Sequence, residues 1–333
     1  MIADDAIVLV TRIFEAEGVG HIAALATARA LVAAERDGQR GHGLSRVSSY
    51  VEQVRVGKIN PNAMPSSKEV SDAAVIVDAD HGFAYPAIDI AIDEVARLAR
   101  KSKIAIAAIR RSHHFGQAGS HVERLAERGL VAFLYGNSPK AMAFWGGTSP
   151  MMGTNPIAFA APMSGNDALV IDLALSVSAR GKIMAAAKAD EPIPEGWALD
   201  ADGQPTTDAN EALSGSMLPL GGAKGAALAL MVEVLAGAVT GSHFGFEASS
   251  FLNAEGPPPN VGCLLIAFDP EAISGGDYSA RIDVLAEAIQ DEPGVRLPGS
   301  RRFENRRCVA DTGLEIPPKL FDELTALSAS ANT

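Results

Sequence analysis

The chain reads as a protein of mixed helices and strands built in two parts, on three observations. Apolar residues keep a helical period up to about residue 57, strand-like runs take over from Ala73, and helical patterns return after about residue 276. With 333 residues, 47% of them hydrophobic, the chain can bury a sizeable core and has the length for two domains. No strand–GxGxxG–helix fingerprint occurs, so an ordinary Rossmann domain is not predicted.

Two helices are predicted before Asp37. The run Ile22 to Ala34 is apolar nearly all round, the mark of a buried helix, and Gly38 breaks it. After the segment Arg40 to Arg46, an amphipathic pattern from Leu44 to Val56 places Tyr50 and Val54 at four-residue steps from Arg46. Gly57 and Asn60-Pro61 close it. Met64 to Ser67 reads as a linker. Ala74 to Val77 is a short apolar strand, Asp80 to Phe83 a turn, Pro86 to Lys101 a helix, and Ile104 to Ile109 a strand buried on both faces. The polar, glycine-containing stretch Arg111 to Gly119 leads into a helix ending near Glu127. Val131 to Tyr135 is the next strand, completing a β-loop-α-β unit. Free N–H groups at that helix start suit a phosphate or carboxylate.

Asn137 to Gly153 is a Gly-, Pro- and Ser-rich loop containing Trp145. The strand that Gly153 to Phe159 leads into ends at Pro162 and pairs with Ala168 to Leu173 around the turn Ser164-Gly165-Asn166-Asp167, a hairpin. Asp172 is an odd residue for so apolar a strand, unless it serves as a strand-end turn former. A helix from Gly181 to Ala187 carries Lys182. Asp200 to Gly203 is an ordinary turn, since Pro205 stands where a calcium loop needs glycine. Gly221, Gly222 and Lys224 open the most apolar helix, a second candidate anion site without Walker-loop spacing. Val261 to Phe268 is a buried strand and Tyr278 to Gln290 an amphipathic helix. Arg296 to Arg302 is a basic turn that suggests an anionic partner, and Pro318 to Leu327 is a helix with proline in its first turn.

The net charge of −12 argues against nucleic-acid or acidic-membrane binding and still permits a local basic pocket. Cys263 and Cys308 lie far apart in the chain, and so sparse a cysteine usage suits a reducing compartment. The opening residues, with Asp4 and Asp5, lack a signal-peptide layout. The longest apolar run, Gly225 to Val239, is interrupted by Glu233 and too short to span a bilayer. A cytoplasmic protein without a membrane partner is expected. His113, His114 and His121 form the histidine cluster, but neither HxxxH nor HExxH is present and no metal is expected. The hydrolase signature GxSxG is absent.

The chemistry concentrates in Arg40-Gly41-His42-Gly43-Leu44-Ser45-Arg46. On a helix, His42 and Arg46 share a face and reach one small ligand. Arginine grips a carboxylate through two charge-assisted hydrogen bonds, and histidine trades a proton near neutral pH. Taken alone, the segment reads equally as a helix-turn-helix with a surface histidine and arginine.

Six motifs in order along the chain carry a resemblance. They are HGLSR at His42 to Arg46, SHHFG at Ser112 to Gly116, GTNPIAF at Gly153 to Phe159, IDLALS at Ile171 to Ser176, GGAKGAALALM at Gly221 to Met231 and RLPGSRR at Arg296 to Arg302. With them the chain resembles the type-2 malate/L-lactate dehydrogenase family of NAD(P)-dependent oxidoreductases. That family includes sulfolactate, ureidoglycolate and diketogulonate dehydrogenases and reductases of cyclic imines such as Δ1-piperideine-2-carboxylate. The resemblance implies an α+β, non-Rossmann NAD(P)-binding fold with a largely antiparallel sheet. It implies a helical substrate and dimerisation domain from residues 1–72 with 277–333, an α+β cofactor-binding domain at 73–276, and a homodimer.

Residue by residue, the resemblance makes His42 the proton donor to the substrate oxygen or imine nitrogen. In some members the position of His114 takes that part, and His42 is favoured for its neighbouring arginine. Arg46 holds the substrate carboxylate, with Thr154 nearby. His114, Phe115, Gly116, Gln117, Ala118, Ser138, Asp172, Leu173, Ala174, Lys224, Pro298, Gly299 and Ser300 fall where NAD(P)H is contacted. Cyclic-imine reductases carry a serine before the histidine and an aspartate where this chain has Gly41 and Lys182. Lys182 adds a cation for a second acidic group. The expected substrate is a 2-oxo/2-hydroxy acid of malate, lactate or sulfolactate type, with a cyclic imine (Δ1-piperideine-2-carboxylate or Δ1-pyrroline-2-carboxylate) as the alternative. The competing class is a ligand-binding protein that lost the chemistry. Arg301 and Arg302 either meet a 2′-phosphate, which would distinguish NADP from NAD, or only decorate the surface.

Overall fold

A computed structural model describes residues 1–165 and 167–330. Asn166 of the predicted turn lies outside the described residues. The chain opens with α1 (Ala3–Ala16) and α2 (His21–Arg36), two short 3-10 turns at Arg40–His42 and Leu44–Arg46, and α3 (Val47–Arg55). These helices bury Val10, Phe14, Leu31, Leu44 and Tyr50 in a core that the last helix re-enters through Leu324.

The strand-bearing part follows with β1 (Ser66–Ser71), β2 (Ala74–Asp78), α4 (Ala84–Ser102), β3 (Ile104–Ser112), α5 (Ala118–Ala126) and β4 (Val131–Gly136). In α4 the apolar residues Ile88, Ala91, Ile92, Val95 and Ala99 recur at helical spacing, and all are buried. Lys103, in the left-handed conformation, ends that helix. Next come β5 (Met142–Ala143), β6 (Pro150–Met152), β7 (Ile157–Ala161), β8 (Leu169–Leu173), α6 (Arg180–Ala189), β9 (Ala198–Leu199), β10 (Pro205–Thr206), α7 (Ala209–Ser214) and β11 (Ser216–Met217). Then α8 (Ala223–Val232) runs into a π-helical turn at Glu233–Ala238, followed by β12 (Val261–Phe268), α9 (Pro270–Ser274), α10 (Tyr278–Gln290), α11 (Ser300–Thr312) and α12 (Pro318–Ser330).

Two sheets organise this part. The larger runs β1-β2-β3-β12-β4-β7-β8, and all its pairings are antiparallel except β2 with β3. The fold is therefore α+β with a largely antiparallel sheet. Buried alanines at positions 105, 107, 132, 158, 160 and 267 keep the sheet face low, so α4 and α5 pack closely on it. The smaller sheet, β10-β9-β11-β5-β6, carries α6 and α7 over a core of Ile183, Ile193, Ala198 and Met217.

Several elements differ from the sequence reading, each for a physical reason. β1 lies where a linker was expected, because all six of its residues are exposed and give no apolar alternation. The β3 and β4 of the expected β-loop-α-β unit do not pair, since β12 from much later in the chain inserts between them. The loop from Asn137 to Gly153 contains β5 and β6. The basic turn at 296–302 is the mouth of α11, a helix too charged to show a periodic apolar face. No residue of α10 is buried; its Tyr278 hydroxyl donates to Pro162 O beyond β7, and its Val284 and Leu285 stay exposed. No described helix is long and apolar enough to cross a membrane.

Candidate active site

His42 and Arg46 do not share an α-helical face. They lie on successive 3-10 turns, with Gly43 extended between them, because the two glycines interrupt the helix before α3 begins. The two residues nonetheless converge. Arg46 Nε donates to Gly41 O at 2.7 Å, which leaves both terminal nitrogens of the guanidinium unpaired with any carboxylate among the described residues. In a chain with 40 acidic residues, this half-buried guanidinium is thereby free to accept an outside anion.

Beside it His42 stacks on His114, ring centroids 5.3 Å apart, with His42 Nδ1 3.3 Å from His114 Nε2. Behind them His114 Nδ1 lies 2.6 Å from the Tyr50 hydroxyl, and that hydroxyl lies 3.3 Å from the Tyr85 hydroxyl. Gly116 makes this stacking possible: it holds φ +69°, and a Cβ there would come within 2.8 Å of Tyr85 Oη. His113 turns away and donates from Nε2 to Gln53 Oε1 at 2.9 Å, while Gln53 Nε2 donates to Phe251 O. The Phe251 ring covers both imidazoles at 5.3 and 5.2 Å. Lys58, fully buried, donates to the carbonyls of Ser250, Asn253 and Glu255 and so ties that covering segment down.

The electrostatics follow from burial beside an uncompensated cation. Burial, then the Arg46 charge, lowers His42 to about 4, and burial with Lys58 and Arg46 lowers His113 to about 3. Burial, then Arg46 and the neighbouring His42 and His113, holds His114 well below the usual histidine range, and burial pushes the Tyr50 hydroxyl up to about 12. All three imidazoles are neutral at pH 7, and both tyrosines keep their protons.

The residues expected at the cofactor gather along one edge of the large sheet. Asp172 on the edge strand β8 accepts Gly119 N at 2.7 Å, at the first turn of α5, and faces Arg302 Nη2 at 3.5 Å on the first turn of α11. Gly299, φ +93°, lies so close to Val170 that a side chain would crowd it. Thr154 N donates to Ser138 Oγ at 3.1 Å, and Leu175 N donates to Thr154 O at 2.7 Å. Leu220, just before Lys224 and α8, donates to Leu175 O. The segments of 116–119, 138, 154, 172–174, 220–224 and 298–300 thus form one strip, and Leu173 and Lys224 are exposed on it.

The side chains of Phe115, Gln117 and Asp172 turn inward. Phe115 packs in the sheet core, Gln117 Nε2 donates to Asp37, and burial pushes the Asp172 carboxyl up against the pull of Gly119 N–H and Arg302. Backbone N–H groups at the first turns of α8 and α11, together with Lys224, make a donor set that fits an anionic dinucleotide, while the Gly119 N–H of α5 is already taken by Asp172. Ser178 Oγ, buried without a partner just past β8, is a further donor on that edge. Lys182 is exposed at the start of α6 with its ammonium 6.0 Å from the Trp197 ring. Arg302 is not a surface cation: it is buried among Asp37, Glu123 and Asp172.

Sequence reasoning missed Tyr85, Gln53, Lys58 and Phe251, which come from three separate stretches of chain. Tyr50 had one signal, its four-residue step from Arg46. Glu233 had one too, as a carboxylate inside the most apolar run. It accepts from Asn155 Nδ2 at 2.9 Å and from Gly245 N at 3.1 Å, and braces the Ser138–Thr154 corner from the π-helical turn.

A largely antiparallel α+β fold with paired neutral imidazoles, an open guanidinium and a strip of helix mouths defines a non-Rossmann dehydrogenase class. The profile of the malate/L-lactate dehydrogenase family matches residues 2–325, and the chain belongs to that family. It is 54% identical over 316 residues to a (2R)-3-sulfolactate dehydrogenase (NADP(+)) of Chromohalobacter salexigens, covering 95% of this chain and 94% of that one. A Δ1-pyrroline-2-carboxylate reductase of Ancylobacter novellus is 39% identical, covering 94% of this chain and 92% of that one. The crystal structure of Δ1-piperideine-2-carboxylate reductase from Pseudomonas syringae superposes with a TM-score of 0.94 at 37% identity, covering 98% of this chain and 99% of that one.

Proposed function

We propose that the chain transfers a hydride between NAD(P)H and a small 2-oxo/2-hydroxy acid of malate, lactate or sulfolactate type. The observation that carries this is Arg46, pinned through Nε and open at its terminal nitrogens beside His42. Its two-pronged end receives the substrate carboxylate. That negative charge offsets the Arg46 repulsion, which comes second to burial among the causes that hold His42 low, so binding of the acid raises the His42 pKa from about 4. Protonated in that complex, His42 gives its Nε2 proton to the forming alkoxide and is left as the neutral ring, and Phe251 and Tyr50 cover His114 behind it. When bound, the nicotinamide supplies the hydride. The backbone of 114–118, Ser138, 172–174, Lys224 and 298–300 are the residues that would hold it, with the division into 1–72 plus 277–333 and 73–276 setting substrate and cofactor sides.

Similarity to a relative named for sulfolactate and NADP(+) supports the acid reading and NADP. Arg301, exposed on α11, is the arginine of the basic turn that meets a 2′-phosphate, because Arg302 is committed inside. The cyclic-imine reading has support from the two reductase relatives. Against it stand Gly41 and Lys182, at positions where the family resemblance implies serine and aspartate for imine reductases. The exposed apolar residues of α8 and its π-helical continuation (Leu228, Leu230, Met231, Val234 and Val239) support a homodimer, which sedimentation velocity tests. Two free cysteines, one of them exposed, support a cytoplasmic setting.

The deciding experiment follows absorbance at 340 nm with NADH and NADPH in parallel, offering 2-oxo acids and cyclic imines, and 3-sulfolactate in the oxidative direction. Turnover of an acid but not of imines supports the main reading, and imine turnover alone supports the second. A chain that binds NADPH by fluorescence and turns over none of them is a binding protein.

A further inference from the structure

The hydrogen bonds Tyr85–Tyr50–His114–His42 form an unbroken row of 3.3, 2.6 and 3.3 Å from the interior to the site. Its direction can be worked out by counting donors. Tyr85 is buried, and among the described residues its hydroxyl has one partner, Tyr50. If Tyr50 donated to Tyr85, the Tyr85 proton would be stranded in the core, which costs about 1–3 kcal/mol. If Tyr85 donates instead, the Tyr50 proton goes to His114 Nδ1, an acceptor in the neutral ring. His114 must then carry its own proton on Nε2 and donate it to His42 Nδ1. Neutral His42 is left with its proton on Nε2, the nitrogen that has no partner among the described residues.

We propose that Tyr50, seated by Tyr85, is a positioning residue that fixes the tautomers of His114 and His42, so that His42 Nε2–H faces the substrate oxygen. The role rests on the hydride-transfer reading above, but the tautomer pattern itself exists without substrate. It also explains why the row resists a second proton. A charged His42 would set Nδ1–H against His114 Nε2–H, so the row favours neutral His42 in addition to the effect of burial.

The test is nitrogen-15 NMR of the imidazoles in the full chain, followed by kinetics. In the wild type, His42 and His114 should both appear as Nε2–H tautomers. Tyr50→Phe keeps the ring and removes the donor, so His114 should become a mixture and His42 should titrate at a higher pH than in the wild type. With the substrate found in the 340 nm assay, the pH dependence of kcat for Tyr50→Phe should shift to higher pH with the His42 titration, with KM unchanged. Tyr85→Phe leaves Tyr50 free to donate, so it should keep the wild-type tautomers. An Nδ1–H His42 in the wild type, or tautomers unmoved by Tyr50→Phe, overturns the proposal. Equal effects of the two variants would make both tyrosines packing residues and overturn it as well. Failure to find any substrate, with the tautomers as stated, would instead count against the hydride-transfer reading alone.

Discussion

Arg302→Met tests the ion cluster that joins the two ends of the chain to the sheet edge. Arg302 is 7% exposed and faces Asp37 at 3.3 Å, Glu123 at 3.4 Å and Asp172 at 3.5 Å. Removing one partner of a buried pair costs about 3–5 kcal/mol, mostly because the other charge is left uncompensated. Here the lower end applies. Arg306 still pairs with Asp37 and Glu123, and Asp172 keeps the Gly119 N–H. A loss of about 3 kcal/mol, with a urea slope of about 3 kcal/mol per molar, moves the denaturation midpoint down by about 1 M. Arg307→Met is the control, because its pair with Asp167 at 3.0 Å is exposed and should cost under about 1 kcal/mol. Adding Asp172→Asn to Arg302→Met should recover part of the loss, since it removes the carboxylate left with the weakest compensation. A midpoint shift no larger than the control's would refute the argument and mean that the cluster is effectively solvated.

Three further outcomes follow from the site. His42→Gln should lower kcat by roughly 10²–10⁴-fold while NADPH still binds by fluorescence, and unchanged turnover would pass the proton-donor role to His114. Arg46→Lys should raise the KM of the acid substrate at least about tenfold, because a point charge cannot replace a two-pronged grip; an unaltered KM rules the clamp out. Stability should fall with acid. His113 and His121 are lowered to about 3 and about 4 by burial, so below the unfolded value near 6.5 the unfolded chain binds more protons than the folded one. Their contribution is complete above about pH 6.5 and is lost progressively as pH falls towards 4, at about 2 kcal/mol each between pH 7 and 5. Urea midpoints that agree at those two pH values would contradict it.

What was legible in the chain depended on whether a signal was local. The strand Val261–Phe268 and the helix at 84–102 declare themselves by apolar runs and helical spacing, and both stand in the structure. The pair proposed to bind the acid was visible because His42 and Arg46 are four residues apart, although the backbone that joins them is two 3-10 turns rather than one helix. α11 was hidden because its stability comes from Arg302 and Arg306 meeting carboxylates on α5, β8 and the end of α2, partners that no window along the sequence contains. The Tyr85–Tyr50 pair was hidden for the same reason. Two apolar-face tyrosines look alike in a sequence whether or not their hydroxyls meet.

The placement of β12 has a consequence for how the protein forms. Leu265 lies opposite both Ala107 and Leu134, so the middle of the large sheet is supplied by a segment made more than a hundred residues after its neighbours. Until residues 261–268 arrive, β3 and β4 present facing edges with no strand to fill the gap. Such distant pairing carries a large closure entropy and slows folding. During synthesis, therefore, the nascent chain holds an open seam in its most apolar layer from Gly136 until Val261, the interval in which aggregation or chaperone capture competes with completion of the sheet.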